Sequence, residues 1–315
     1  MSSVLVDVEG RRLKLTNLEK VLYPETGTTK AEVIDYYTRV APVLLPHLAD
    51  RPITLRRYPD GVAAQGRQGP FYDKDASRHA PDWLRTARLP VPGSTKGHET
   101  IGFGVLDDLP SLVWAANLAG LELHVPQWTV DSDGVAQPPD LVVFDLDPGA
   151  PATVVECCRV ASEVRDVLAE DGLVCVVKTS GSKGMQVSAA IRTDDPLRPS
   201  AYARSVADVL AARRPDGVVS RMAKVARPGK VFVDWSQNNP AKTTVAPYSL
   251  RGRDAPTAST PVTWDEVAAC RAPEDLVFRG PEVLDRVAEH GDLWASVLRG
   301  PADRPELPAA TSAPG

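Results

Sequence analysis

A chain of 315 residues with 43% hydrophobic and 24% charged residues is long enough to bury a substantial core and has an ordinary globular composition. No apolar run reaches membrane-spanning length, and Met1–Glu9 lacks the charged-then-apolar layout of a signal peptide. The four cysteines (Cys157, Cys158, Cys175, Cys270) show no zinc-ligand spacing, and two are adjacent, which argues against a disulfide framework and for a cytoplasmic location. The net charge of −5 hides an uneven distribution. Between Gly217 and Arg253 there are seven basic residues and one acid, whereas from Asp254 onward there are eleven acids and five basic residues. An acidic protein of this kind can carry one strongly positive wall.

Along the chain, Leu15–Pro24 reads as a short capped helix stopped by proline. Thr29-Lys30-Ala31-Glu32 is a capping-box pattern that opens a helix from Lys30 to Pro46. A strand is expected over Pro52–Arg57, then a Gly- and Gln-rich loop over Pro59–Pro70 with the aromatics Phe71 and Tyr72 beside it. Leu106–Leu121 looks like a buried helix, with His124–Trp128 leading out of it into another strand. Pro151–Glu170 is a helix with proline near its first turn and Gly172 past its end. Leu173–Thr179 is a strand, and Arg227–Lys230 a turn feeding a hairpin that carries Asp234. The Pro/Ala/Ser-rich segment 301–315 reads as a disordered tail. No internal repeat is visible.

The most informative segment is Leu141–Gly149. An apolar strand carries Asp145 and Asp147 at i and i+2, so both carboxylates leave the sheet on one face. Like charges that close call for a cation, and oxygen ligands suit Mg²⁺ or Mn²⁺. A second strand, Lys230–Trp235, offers a third carboxylate, Asp234. Between them lies Thr179-Ser180-Gly181-Ser182-Lys183-Gly184, a Gly/Ser/Lys loop of the sort that holds phosphates. Taken singly, an Asp-x-Asp often only starts a turn and such a loop is often a connector. Together they point to metal-assisted chemistry on a nucleotide.

The segments LTNLEKVLYPETGTTK, ELHVPQW, LVVFDLDPG, TSGSKG, KVFVDWSQN and KTTVAPYSLRGR carry a resemblance. The chain resembles the polymerase domain of bacterial DNA ligase D, the archaeo-eukaryotic primase-like polymerase of non-homologous end joining, from about Leu13 to Leu298. The resemblance implies an α/β fold with a mixed-sheet primase-polymerase core and helices packed on the sheets. It implies one domain over 1–300, with a DNA-end-binding subregion at about 10–80, a catalytic core at about 100–255 and a helical part at 256–300. No ligase or nuclease module follows, as in a free-standing polymerase unit; a piece of a longer protein would look the same.

The resemblance further implies that Asp145, Asp147 and Asp234 are catalytic and hold the divalent metals, two ions of Mn²⁺ or Mg²⁺. It gives nucleotide-binding positions to His124, Ser180, Ser182, Lys183, Lys224, Arg227, Gln237 and Arg251. Asn17, Lys20 and Lys30 match residues that grip a downstream 5′-phosphate, and Phe71 and Tyr72 an aromatic pair that stacks on the template. The implied activity is addition of nucleotides, with rNTPs preferred, to primer 3′-ends at DNA gaps or breaks. The implied partners are gapped or broken DNA, NTPs, Ku and an ATP-dependent ligase, with no membrane, in a nucleoid-associated cytoplasmic setting. Two positions depart from the family pattern: Gln186 stands where histidine is usual, and Tyr72 where a second Phe is usual. The alternatives are a non-catalytic DNA-end-bridging protein and a metal-dependent phosphohydrolase. The second is disfavoured because Pro148-Gly149 follows the acid pair.

Overall fold

The computed structural model describes residues 2–63, 69–78, 80–91, 97 and 99–309. The chain forms two compact units, each assembled from separated stretches of chain. The first comprises 1–137, 245–258 and 278–291; the second comprises 138–244, 259–277 and 292–315.

In the first unit, β1 (Ser3–Val8) and β2 (Arg11–Thr16) form an antiparallel hairpin. The helix expected over Leu15–Pro24 does not form. Asn17 takes a left-handed φ of 52°, the Lys20 N–H closes a turn on the Asn17 carbonyl, and β3 (Val21–Tyr23) pairs with β4 (Thr28–Thr29). A left-handed asparagine interrupts a helix at its first turn. The capping box does form: Thr29 and Glu32 bond reciprocally and open α1 (Lys30–Leu48), which runs two residues past the expected Pro46. The strand β5 (Thr54–Arg57) lies between β6 (Phe71–Asp73) and the later β9, antiparallel to both. Of the expected Gly/Gln loop, residues 64–68 lie outside the described residues.

A further hairpin joins β7 (Thr86–Pro90) to β8 (Thr100–Gly104). The expected helix over 106–121 is shorter: α2 (Leu109–Asn117) is capped by Asp108, Ala119 turns with a φ of 57°, and β9 (Gly120–Val125) follows. His124 therefore lies inside this strand and does not lead into a later one. Glu122 and His124 alternate with Leu121 and Leu123, the period-two pattern of a strand. The core gathers Tyr37, Leu44, Leu48, Leu112, Leu121 and Leu123, and from far along the chain Tyr248, Leu250 and Val283.

In the second unit the expected order of strand, helix, strand, loop, strand and helix is present. It runs β10 (Leu141–Pro148), α3 (Val154–Glu170), β11 (Cys175–Thr179), β12 (Met185–Ala190) and α4 (Arg198–Arg213). β13 (Val218–Val219) and β14 (Val231–Asp234) complete a six-stranded sheet in the order β13-β14-β10-β12-β11, with Pro261–Val262 at the outer edge. β14 is not half of a hairpin: it runs parallel to β13 and antiparallel to β10. On one face Phe144 meets Tyr202 of α4 edge-on, and Cys157 of α3 reaches the Leu146 carbonyl. Side chains at Asp145 and Asp147 consequently leave from the opposite face.

The tail expected to be disordered is partly built into the second unit. Leu307 is fully buried and exchanges backbone bonds with Arg192 through 305–307, while Glu306 pairs with Arg192 and Arg198. Proline-rich composition does not prevent a single leucine from anchoring such a segment. Residues 310–315 lie outside the described residues. Among the described residues, no helix is long and apolar enough to cross a membrane.

Candidate active site

Strand register brings the three acids together. Asp145 lies directly opposite Asp234 on one neighbouring strand and opposite Gln186 on the other, with Asp147 two residues along β10. Gln186 in turn lies opposite Lys178. Residues directly opposite in an antiparallel sheet share a face. Asp234, Asp145, Gln186 and Lys178 therefore form one polar row across four strands, flanked by Asp147.

The charges in this row are felt. Burial, then the neighbouring Asp147 and, more weakly, Asp234, push Asp145 up to about 7, against a bond from Gln186 and the charge of Lys178. Burial also raises Asp147, with Asp234 adding to it, while Lys183 and Arg227 pull the other way. Gln186 donates to Asp145 Oδ1 at 3.1 Å, and its own Oε1 is buried without a partner. Asp234 is committed locally: Ser236 donates to Oδ1 through N–H and hydroxyl, and Gln237 Nε2 donates to Oδ2 at 2.8 Å. Accordingly, no three His, Cys, Asp or Glu side chains among the described residues are already closed around a metal position. The donor set nevertheless fits a hard divalent cation. It is all oxygen, it is crowded on one face, and burial and neighbouring acids hold the carboxyl groups of Asp145 and Asp147 above their ordinary range.

The Ser/Gly/Lys loop is pressed onto this strand. A Cβ on Gly184 would stand 2.2 Å from the Leu146 carbonyl oxygen, so only glycine permits the approach. Gly149 plays the same part for the other edge, where a Cβ would stand 2.2 Å from the Arg227 carbonyl oxygen. Within the loop, the Ser180 hydroxyl accepts the Ser182 and Gly184 N–H groups, and Lys183 is exposed. A cavity of about 250 Å³ adjoins it, lined among others by Ser182, Lys183, Thr153 and Pro148. Arg227 lies over the Phe232 ring at 3.7 Å and donates to the Met222 carbonyl, leaving its Nε buried without a partner. Lys224 is exposed in the turn before it. The second unit thus unites Asp145, Asp147, Asp234, Ser180, Ser182, Lys183, Lys224, Arg227 and Gln237.

The remaining expected residues fall in the first unit, in two groups. His124 and Arg251 both face Glu122, His124 Nε2 at 3.0 Å and Arg251 Nε at 3.3 Å. Burial lowers the His124 pKa, with Glu122 opposing. Tyr72 meets the His124 ring edge-on at 5.6 Å. Phe71 and Tyr72 are both exposed, on opposite faces of the strand, each beside an arginine directly across from it: Phe71 by Arg57 and Tyr72 by Arg56. Lys20, Lys30 and Asn17 form the second group. Lys30 is buried, donating to the Thr16 carbonyl at 2.7 Å; burial, then the charges of Lys20 and Arg57, lower it to about 8. Lys20 pairs with Asp60. Glu122 and Ser236 lie inside the segments ELHVPQW and KVFVDWSQN but were given no role there, and Arg56 and Arg57 lie outside the quoted segments. The i, i+2 spacing of Glu122 and His124 was the one signal that placed an acid beside the histidine.

Comparison with known proteins decides the family. The model of the LigD primase-polymerase domain matches residues 29–294. The chain belongs to the LigD primase-polymerase family. Members of this family are nucleotidyltransferases of the primase-polymerase class, and the fold has the expected mixed α/β form. The chain is 46% identical over 285 residues to the multifunctional non-homologous end joining protein LigD of Mycolicibacterium smegmatis, covering 90% of this chain and 36% of that protein. It is 30% identical to the bifunctional LigD of Bacillus subtilis over 302 residues, covering 93% of this chain and 45% of that one. The polymerase domain of Mycobacterium tuberculosis ligase D in complex with DNA superposes with a TM-score of 0.83 at 41% identity, covering 93% of this chain and 99% of that one. The LigD primase-polymerase match therefore spans about a third of the M. smegmatis protein.

Proposed function

We propose that the protein adds nucleotides, ribonucleotides in preference to deoxyribonucleotides, to primer 3′-ends at DNA gaps or double-strand breaks, in end joining or gap repair. The observation that carries this reading is the placement of Asp145, Asp147 and Asp234 on one face of a sheet, beside a glycine-tightened Ser/Lys loop. The end-joining names of the LigD relatives and the DNA bound to the M. tuberculosis domain support the choice of pathway and substrate.

In this reading Asp145, Asp147 and Asp234 hold two divalent ions, Mn²⁺ or Mg²⁺. When bound, the ions supply charge compensation to the attacking 3′-hydroxyl oxygen and to the pyrophosphate that leaves. Gln186 orients Asp145, and Ser236 and Gln237 hold Asp234, so that the carboxylates are positioned before substrate arrives. Ser180, Ser182 and Lys183 receive the triphosphate, with Arg227, Lys224 and Gln237 along its path and His124 and Arg251 as further nucleotide contacts. The guanidinium of Arg227 carries terminal N–H groups in the fork geometry that suits a phosphate. Lys20 and Lys30, with Asn17, take the 5′-phosphate downstream of the gap. Lys30 is the first residue of α1, so its ammonium and the helix N-terminus act together. Phe71 and Tyr72 stack on template bases. A Ku-type end binder and an ATP-dependent ligase complete the pathway, in a nucleoid-associated cytoplasmic location.

The test is extension of a labelled primer on gapped DNA bearing a downstream 5′-phosphate, with Mn²⁺ and each rNTP and dNTP, alongside Asp147→Ala. Templated addition that needs metal and vanishes in the variant is the expected result. Tight DNA binding with no addition would favour a bridging protein.

A further inference from the structure

Glu122 receives more donors than any motif accounts for. It lies in the middle of β9 with its side chain 1% exposed. Its Oε1 accepts from the Tyr58 hydroxyl at 2.6 Å, the Gly252 N–H at 3.1 Å and Arg56 Nη1 at 3.2 Å. Its Oε2 faces His124 Nε2 at 3.0 Å and Arg251 Nε at 3.3 Å. Register explains the gathering: Arg56 is the residue directly opposite Glu122, and His124 lies two residues further along the same face. The Arg56 guanidinium lies 5.4 Å from the centre of the Tyr58 ring and 5.5 Å from that of Tyr72, and Tyr72 meets His124. A buried ion pair that serves only stability is readily replaced by apolar packing. This carboxylate instead holds the side chains proposed to meet the nucleotide and the template base.

We propose that Glu122 is a positioning residue for nucleotide addition. It fixes His124 and Arg251 for the incoming nucleotide and, through Arg56, the ring of Tyr72 for the template base. This rests on the nucleotide and template roles given above to His124, Arg251 and Tyr72. With Nε2 turned to a carboxylate, the proton of a neutral His124 sits on that nitrogen and Nδ1 is left as an acceptor for a ligand. Arg56 acquires a role that its sequence position did not suggest, as the link between the acid and the stacking ring.

The decisive variant is Glu122→Gln, which keeps the shape but turns one acceptor oxygen into an NH₂ among N–H donors. Steady-state primer extension with the full chain, gapped DNA, Mn²⁺ and one matched NTP should show KM for the nucleotide raised about tenfold, the scale of a lost charged hydrogen bond. Discrimination between gapped DNA with a 5′-phosphate and with a 5′-hydroxyl should stay as in the wild type. In a His124→Ala background the same substitution should raise KM less than roughly threefold, because the two act as one unit. A purely structural Glu122 would lower the melting temperature equally in both backgrounds and leave KM unchanged, which overturns the proposal. If Glu122→Gln does not fold, Tyr58→Phe carries the test. It removes one bond to Glu122, and a raised KM supports the proposal, whereas an unchanged KM with a lower melting temperature overturns it. A wild type that adds no nucleotide overturns the underlying reading, and this proposal with it. A wild type that extends normally beside an equally active Glu122→Gln overturns this proposal alone.

Discussion

Glu122, buried, and Asp145, half-buried, are both carboxylates in mid-strand, one in each unit, and they are treated oppositely. Burial works against the charge of Glu122, but the bond from His124, the charge of Arg251 and the Tyr58 hydroxyl overcome it and hold the group well below the usual carboxylate range. Asp145 has a single amide donor from Gln186 and two acidic neighbours, and is pushed up to about 7. Geometry alone does not separate them; the count of donors does. A carboxylate surrounded by donors is complete without any ligand. One placed among other carboxylates is complete only with a cation, and such perturbed groups cluster where chemistry is done.

The largest effect should come from relieving the incomplete site. Asp145→Asn keeps the shape and the Gln186 contact, so primer extension should fall by about a thousandfold or more while the melting temperature holds or rises. A loss of both activity and stability would erase the contrast with Glu122. Tyr58→Phe at the complete site should cost stability as well as raise the nucleotide KM, about 2 kcal/mol in urea denaturation, because it removes a hydrogen bond to a buried charge.

Metal and pH sharpen the contrast further. Because Asp145 is pushed up to about 7 without a cation, the folded state holds a proton that the unfolded chain releases near pH 4. Stability of the metal-free protein should therefore fall as pH rises from about 4 to about 7 and then level. Mn²⁺ displaces that proton, so its affinity by calorimetry should drop about tenfold per unit below pH 7 and the heat should change with buffer ionisation. A metal affinity flat between pH 5.5 and 7.5 would remove Asp145 from the ligand set.

The smallest effect concerns Lys30, a buried cation rather than an anion. Its pKa is lowered to about 8, so its charge is present below that value and lost above it. The preference for 5′-phosphate over 5′-hydroxyl ends, read by fluorescence anisotropy, should weaken by a few-fold between pH 7 and pH 9. Lys30→Gln should flatten that dependence.

The placement of Asp145 and Asp147 on one face, beside the Ser/Gly/Lys loop, was legible because it is written in local spacing: two acids at i, i+2, and Ser/Gly/Lys in a run. The pairing of Asp145 with Asp234 was not, because register between β10 and β14 depends on strands about 90 residues apart. Leu15–Pro24 was misread because Leu, Glu and Lys favour helix, while one left-handed asparagine decides otherwise. The start of the strand at 120–125 was taken into the preceding helix because α2 is apolar all round and masks the change to period two. The burial of Lys30 was not legible because nothing local reveals that the Thr16 carbonyl receives it. Glu122 escaped for the same reason: four of its five partners, Arg56, Tyr58, Gly252 and Arg251, lie far away in sequence.

The interleaving of the two units along the chain bears on how the protein is made. The first unit's core includes Val283, and the second buries Leu307 against a segment near Arg192. During synthesis from the N-terminus, the first unit cannot close its interior until Val283 has left the ribosome, nor the second until Leu307 has. A nascent chain stalled at residue 250 would hold the three acids and the phosphate loop yet lack the last pieces of both cores. Such a truncated product would be a substrate for chaperones and proteases, and no single cut divides the chain into two self-sufficient halves.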